Sequence, residues 1–160
     1  MADKTNASRI LERQGVTFTL VEYKVDEEHL DAIHVAQELG EDINSVFKTL
    51  VLHGDKNGHF VCVIQGDKEV DLKKAAKISG NKKVAMIPMK ELLPLTGYIR
   101  GGCTAIGMKK NFPVFLDQNA MSQTFIYISA GKRGMQIKLQ PEDYMKVTGA
   151  TVGDLIATNQ

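Results

Sequence analysis

Residues 46–64 read VFKTLVLHGDKNGHFVCVI, the pattern of two strands joined by a turn. Two apolar runs flank GDKNG, whose Asn57-Gly58 pair tolerates positive φ at both positions and so signals a tight hairpin. The second run, FVCVI, is apolar on both faces, as a strand covered on both sides must be. It is expected at the centre of a sheet. In the first run a period of two places Val46, Lys48, Leu50 and Leu52 on one face and Phe47, Thr49 and Val51 on the other. One face is therefore apolar except for an ammonium. Either Lys48 snorkels outward from the strand start, or it points into a pocket, where a poorly solvated charge would meet an anion or a carbonyl oxygen strongly.

Working outward, residues 5–14 predict a helix capped by Thr5 or Asn6 and stopped by Gly15. VTFTLVEY, residues 16–23, alternates like a strand. Ala32 to Leu39 predicts a helix ended by Gly40. Beyond the hairpin, Asp71 caps a helix over LKKAAKIS, closed by Gly80. VAM near residue 85 predicts a strand, and Pro88 a helical turn through Leu93. VFLD, FIYIS and MQIKL predict strands, the last two joined by a tight turn at Gly131–Gly134. Pro141 opens a helix over PEDYMKVT with Gly149 behind it, and Thr151 and Asp154 suit the caps of a final turn. Helices and strands mix, but the strands at 46–64 and 125–139 come as hairpins. The expected class is α/β of an α+β-like kind: a mixed, mostly antiparallel sheet with surrounding helices, in a single domain over 1–160.

Composition narrows the function classes. The 160 residues are 43% hydrophobic, which suits a globular core. No apolar run nears the ~20 residues of a membrane helix, and MADKTNASRI lacks an apolar signal core, so a cytoplasmic location and no membrane partner are expected. Cys62 and Cys103 form no CxxC, which argues against a disulfide scaffold or a zinc site. The net charge of +1 argues against a generic polyanion binder. Basic pairs at Lys73–Lys74, Lys82–Lys83, Lys109–Lys110 and Lys132–Arg133 are solvated surface unless they converge.

Two glycine-rich loops, RGGCTAIG (100–107) and SAGKRG (129–134), fit neither a Walker loop nor GxGxxG. Each is either a simple turn or a set of exposed N–H groups able to cradle an oxyanion or phosphate. Ser129, at a strand end, is a donor there or a turn residue. Cys103 as a nucleophile needs a base and a lowered pKa, and His29, His34, His53 and His59 show no nucleophile–base spacing. Cys62 reads as a buried small hydrophobe. GxSxG and HExxH are absent. Any catalysis is expected to rest on positioning and electrostatics.

The segments VFKTLVL, DLKKAAK, TGYIRGGCTAIGMKK, IYISAGKRGMQI and PEDYMKV, taken in this order, resemble the YbaK/EbsC family of aminoacyl-tRNA deacylases, in its Cys-tRNA(Pro) branch. They cover most of the chain from about residue 30. The resemblance implies the fold of the editing domain inserted in some prolyl-tRNA synthetases. It implies hydrolysis of the ester joining a wrong amino acid to tRNA, chiefly cysteine on tRNA(Pro), with Cys-tRNA(Cys) as a further substrate. It brings no metal or organic cofactor. Its partners would be the tRNA(Pro) acceptor end and, for docking, prolyl-tRNA synthetase. Carried over by residue, Lys48 is catalytic, and Tyr23, Thr49, Gly101, Gly102, Gly107, Ser129 and Gly131 bind substrate. Ala105 stands where the family loop usually has proline, which implies a less rigid loop. Gln136 stands where some members carry an acid, which removes a charge.

The resemblance also implies that the attacking thiol belongs to the substrate's own cysteine, held in a near-attack pose, with Cys103 a packing residue. Three rivals stay open: an alanyl-tRNA(Pro) editor using water, a non-catalytic tRNA- or synthetase-binding module, and a hydrolase using Cys103.

Overall fold

A computed structural model describes residues 4–158. In chain order its elements are α1 (Asn6–Arg13), β1 (Phe18–Glu22), α2 (Ala32–Leu39), β2 (Phe47–Gly54), β3 (Gly58–Gln65), α3 (Leu72–Ser79), β4 (Val84–Met86), α4 (Leu92–Thr96), β5 (Val114–Asp117), β6 (Ile126–Ser129), β7 (Met135–Leu139), α5 (Pro141–Thr148) and β8 (Thr151–Gly153). The helices start and stop where local chemistry demands. Thr5 and Ser8 form a reciprocal capping box on α1. Asp31 accepts from the His34 amide, and Asp71 from those of Lys73 and Lys74. Left-handed Gly40, Gly80 and Gly149 end α2, α3 and α5.

The 46–64 hairpin forms with Gly54 opposite Gly58, and β3 lies third of five in the sheet β4-β2-β3-β5-β8. The β2–β3 and β2–β4 pairs are antiparallel, and the β3–β5 and β5–β8 pairs parallel. The β6–β7 hairpin pairs β7 with β1 instead, in a separate antiparallel sheet of three strands. The strands thus divide between two sheets, not the single one expected. An isolated parallel bridge, Val46 to Tyr127, connects them.

Burial explains the arrangement. Phe47, Val51, Val61, Val63 and Leu116 of the larger sheet pack in one core with Ile126, Ile128, Ile137 and Leu139 of the smaller one, joined by Leu11 of α1 and Tyr144 of α5. The other face of the larger sheet sends Leu52, Phe60, Cys62 and Ile64 against Ala75 of α3 and Leu155. Alternate residues of β3 therefore fill two cores, each buried aliphatic side chain contributing roughly 1.5–3 kcal/mol of transfer free energy.

Three local expectations are corrected. Thr151 does not cap a final turn: 151–153 is β8, added parallel to β5, and Leu155 behind it is wholly buried. The helical turn after Pro88 runs beyond Leu93, as a 3-10 turn and then α4 to Thr96, because Pro94 sits in the first turn of α4, where its missing N–H costs nothing. The first strand begins at Phe18, although Val16 still packs on the core.

Candidate active site

Strand β4 pairs with Leu52–Gly54 only, and the bridge to β6 stops at Val46. Between these points the outer edge of β2 has no strand beside it. A cavity of about 320 Å³ fills the gap, within the range of small ligand sites. Phe47 to Val51 form its base. Leu30 to Ala32, before and at the start of α2, form one wall, and Met86, Ile87, Met89 and Leu92 another. Arg100, Gly101 and Cys103 come from the first glycine loop, and Ser129 and Gln136 from the ends of β6 and β7.

Lys48 is the cation within this lining that lies half-buried. Burial lowers its pKa below the ordinary 10.5, and the carboxylates of Glu69 and Asp67 offset this only in part. Among the described residues it makes no ion pair. An ammonium held this way lacks a close anion and is poorly hydrated, so it attracts any oxyanion entering the cavity. Ser129 Oγ accepts the Gly131 N–H at 3.2 Å, so the hydroxyl shapes its loop, and among the described residues its own proton has no acceptor. Gln136 is buried beside it, and among the described residues its Oε1 has no hydrogen-bond partner. Cys103 is the thiol in the lining, and burial pushes its pKa up to about 12, with a hydrogen bond to Thr96 opposing this weakly. At neutral pH it is a protonated thiol, not a nucleophile. Among the described residues no three His, Cys, Asp or Glu side chains gather as a metal-binding group.

The model of the aminoacyl-tRNA editing domain matches residues 26–147, and so spans the cavity's walls and base. The chain belongs to this aminoacyl-tRNA editing family. A relative in Enterococcus faecalis, EbsC, is named for a proposed Cys-tRNA(Pro)/Cys-tRNA(Cys) deacylase activity. It is 49% identical over 152 residues, covering 95% of this chain and 93% of its own. A solved structure described as a proposed trans-editing enzyme for prolyl-tRNA synthetase superposes with a TM-score of 0.84 at 25% identity, over 98% of this chain and all of that one. A protein described as hypothetical superposes at 0.87 with 23% identity, over 96% of this chain and all of its own, and shares the fold.

In this editing domain the cavity brings together four of the eight residues expected at the site: Lys48, Thr49, Gly101 and Ser129. The other four lie outside its lining. Tyr23 packs against the cluster of Val35, Val46 and Tyr127. Gly102 is pressed on the second glycine loop, where a Cβ would come within 3.0 Å of Lys132 Cα. Gly107 faces Asn6 and the Tyr98 hydroxyl, and Gly131 the Tyr98 ring. These glycines let the two loops close on each other and on α1, and Arg133 Nε fastens the closure by donating to Arg100 O at 2.9 Å. The cavity's second wall went unread in the sequence. Its signal was the dense, non-alternating apolar content of VAMIPMKELLPL, residues 84–95.

Proposed function

We propose that the editing domain removes mischarged cysteine from tRNA(Pro), and also deacylates cysteinyl-tRNA(Cys), by holding the aminoacyl ester in the β2-edge cavity. The half-buried, unpaired Lys48 ammonium carries this reading, because it meets the requirement of an ester carbonyl gaining negative charge. Ser129 offers a second donor. The name of the Enterococcus faecalis relative and the editing-domain match support the substrate class.

Cys103, the thiol in the lining, is protonated at neutral pH, and the attacking group in this reading comes with the substrate. The cysteine sulfur bonds to its own carbonyl carbon and the ester C–O bond breaks. The thiol proton ends on the ribose oxygen, and water then opens the thiolactone released. Positioning alone gives such an intramolecular attack a large effective molarity. Lys48 and Ser129 stabilise the oxyanion and Gly101 leaves room for it. Acting in trans beside prolyl-tRNA synthetase fits the solved structural relative.

The test is a panel of cysteinyl-, alanyl- and prolyl-tRNA(Pro) and cysteinyl-tRNA(Cys), each incubated with the protein with and without the synthetase. Cysteine is expected to leave fastest. Faster loss of alanine would reassign the substrate and replace the thiol by water. No release from any member would end the reading.

A further inference from the structure

Met86 and Met89 touch the cavity and are also 45% and 60% exposed, so they stand at its mouth. Leu93, 50% exposed, lies one helical turn beyond Met89, and half-buried Leu92 turns inward to the lining. Single exposed apolar side chains are ordinary. Three within eight residues, bordering a ligand cavity, form a surface that water solvates poorly. We propose that this ridge, Met86, Met89 and Leu93, seats the unpaired RNA bases that precede the acylated nucleotide, with Arg100 and Arg133 receiving their phosphates. The proposal rests on the reading that the cavity takes the acylated end of an RNA.

Continuity fixes the first part. With the ester in the cavity, the preceding nucleotides must cross the mouth and lie on one of its rims. Charge selects which rim. Residues 26–31 carry Asp26, Glu27, Glu28 and Asp31, and Asp31 lines the cavity, so phosphates are repelled there. Along 86–100 the charges of Lys90 and Glu91 offset each other, which leaves exposed Arg100 in the lining. Arg133, tied to the Arg100 carbonyl, adds a second guanidinium at that place. Single-stranded nucleic acid is held where cations follow the backbone and side-chain surfaces, most often aromatic, take the bases without regard to sequence; here thioether and aliphatic side chains supply that surface beside two guanidinium groups. Methionine serves as such a surface because its thioether is polarizable and its chain adapts.

The test compares the wild-type protein with Leu93→Ser, a change outside the cavity lining, and with Met89→Ser. Both positions are exposed, so unchanged melting temperatures are expected. Binding of a short single-stranded RNA with the acceptor-end sequence, followed by fluorescence anisotropy, is expected to weaken about tenfold in each variant. Leu93→Ser is expected to raise KM on charged tRNA by a similar factor and to leave turnover of an aminoacyl-adenosine ester, which lacks the preceding bases, unchanged. Equal RNA affinity in all three proteins would overturn the proposal. So would a defect seen only when synthetase is added, since the ridge would then be a protein-docking surface. Ridge-dependent RNA binding without deacylation of any charged tRNA would leave the ridge assignment standing and refute the proposed activity instead.

Discussion

Lys48 binds its proton less tightly in the folded chain than in the unfolded one, where its value is the ordinary 10.5. Between the lowered folded value and 10.5 the unfolded chain carries more protons, so stability rises with pH across that window. Below it, the full cost of burying the charge is present. Lys48→Met is therefore expected to melt no lower than wild type at pH 7, and to lose the gain in stability on the alkaline side. Thermal melts from pH 7 to 10 check this, and a lower melting temperature at pH 7 would show that Lys48 has a stabilising partner. The thiols give a second residue-scale expectation. Burial pushes both Cys62 and Cys103 up to about 12. Iodoacetamide at pH 8 is expected to modify either far more slowly than a free cysteine, and Cys103→Ser to keep deacylation within about twofold. Loss of activity in that variant would restore the thiol-hydrolase reading.

At the scale of elements, the site depends on how two glycine loops dock. Gly107 has φ of +79°, and a Cβ there would come within 2.8 Å of Asn6 Nδ2 and 3.0 Å of the Tyr98 hydroxyl. Gly107→Ala combines backbone strain with a clash, and a loss of about 1–3 kcal/mol is expected in urea unfolding. Because Gly107 lies away from the cavity, KM of the folded variant should be unchanged; a raised KM with unchanged stability would return Gly107 to the binding site. The extents of α2, α3 and α5 were legible in the sequence because their signals are local: Asp31 and Gly40, Asp71 and Gly80, Pro141 and Gly149 sit within a turn of the ends they set. The docking of the loops was not, since Gly102 meets Lys132 across 30 positions of chain and neither loop carries a mark of the other. The same holds for the site: the period of two singled out Lys48, but the unpaired β2 edge beside it exists only because β4 pairs with Leu52–Gly54 alone.

For the whole molecule, the C-terminal stretch closes the second core. Leu155 is fully buried, its amide donates to Asp117 Oδ1 at 3.0 Å, and its carbonyl accepts from Asp71 N at 2.7 Å. Leu155→Ala is expected to cost about 2–5 kcal/mol in chemical denaturation, whereas a residue in a peripheral capped turn would cost little. The short strand β8 escaped the sequence reading because three residues carry no period and their partner β5 precedes them by a helix and two strands. Strand β2 sends side chains into both cores, and the Lys48 ammonium on it is proposed to stabilise the reacting ester. The direct measurement is the initial rate of cysteine release from cysteinyl-tRNA(Pro) by wild type and Lys48→Ala at matched concentrations, with circular dichroism confirming the fold of both. A fall of about 10²–10³ in rate with an unchanged spectrum is expected. Equal rates from the two proteins would exclude this role for Lys48.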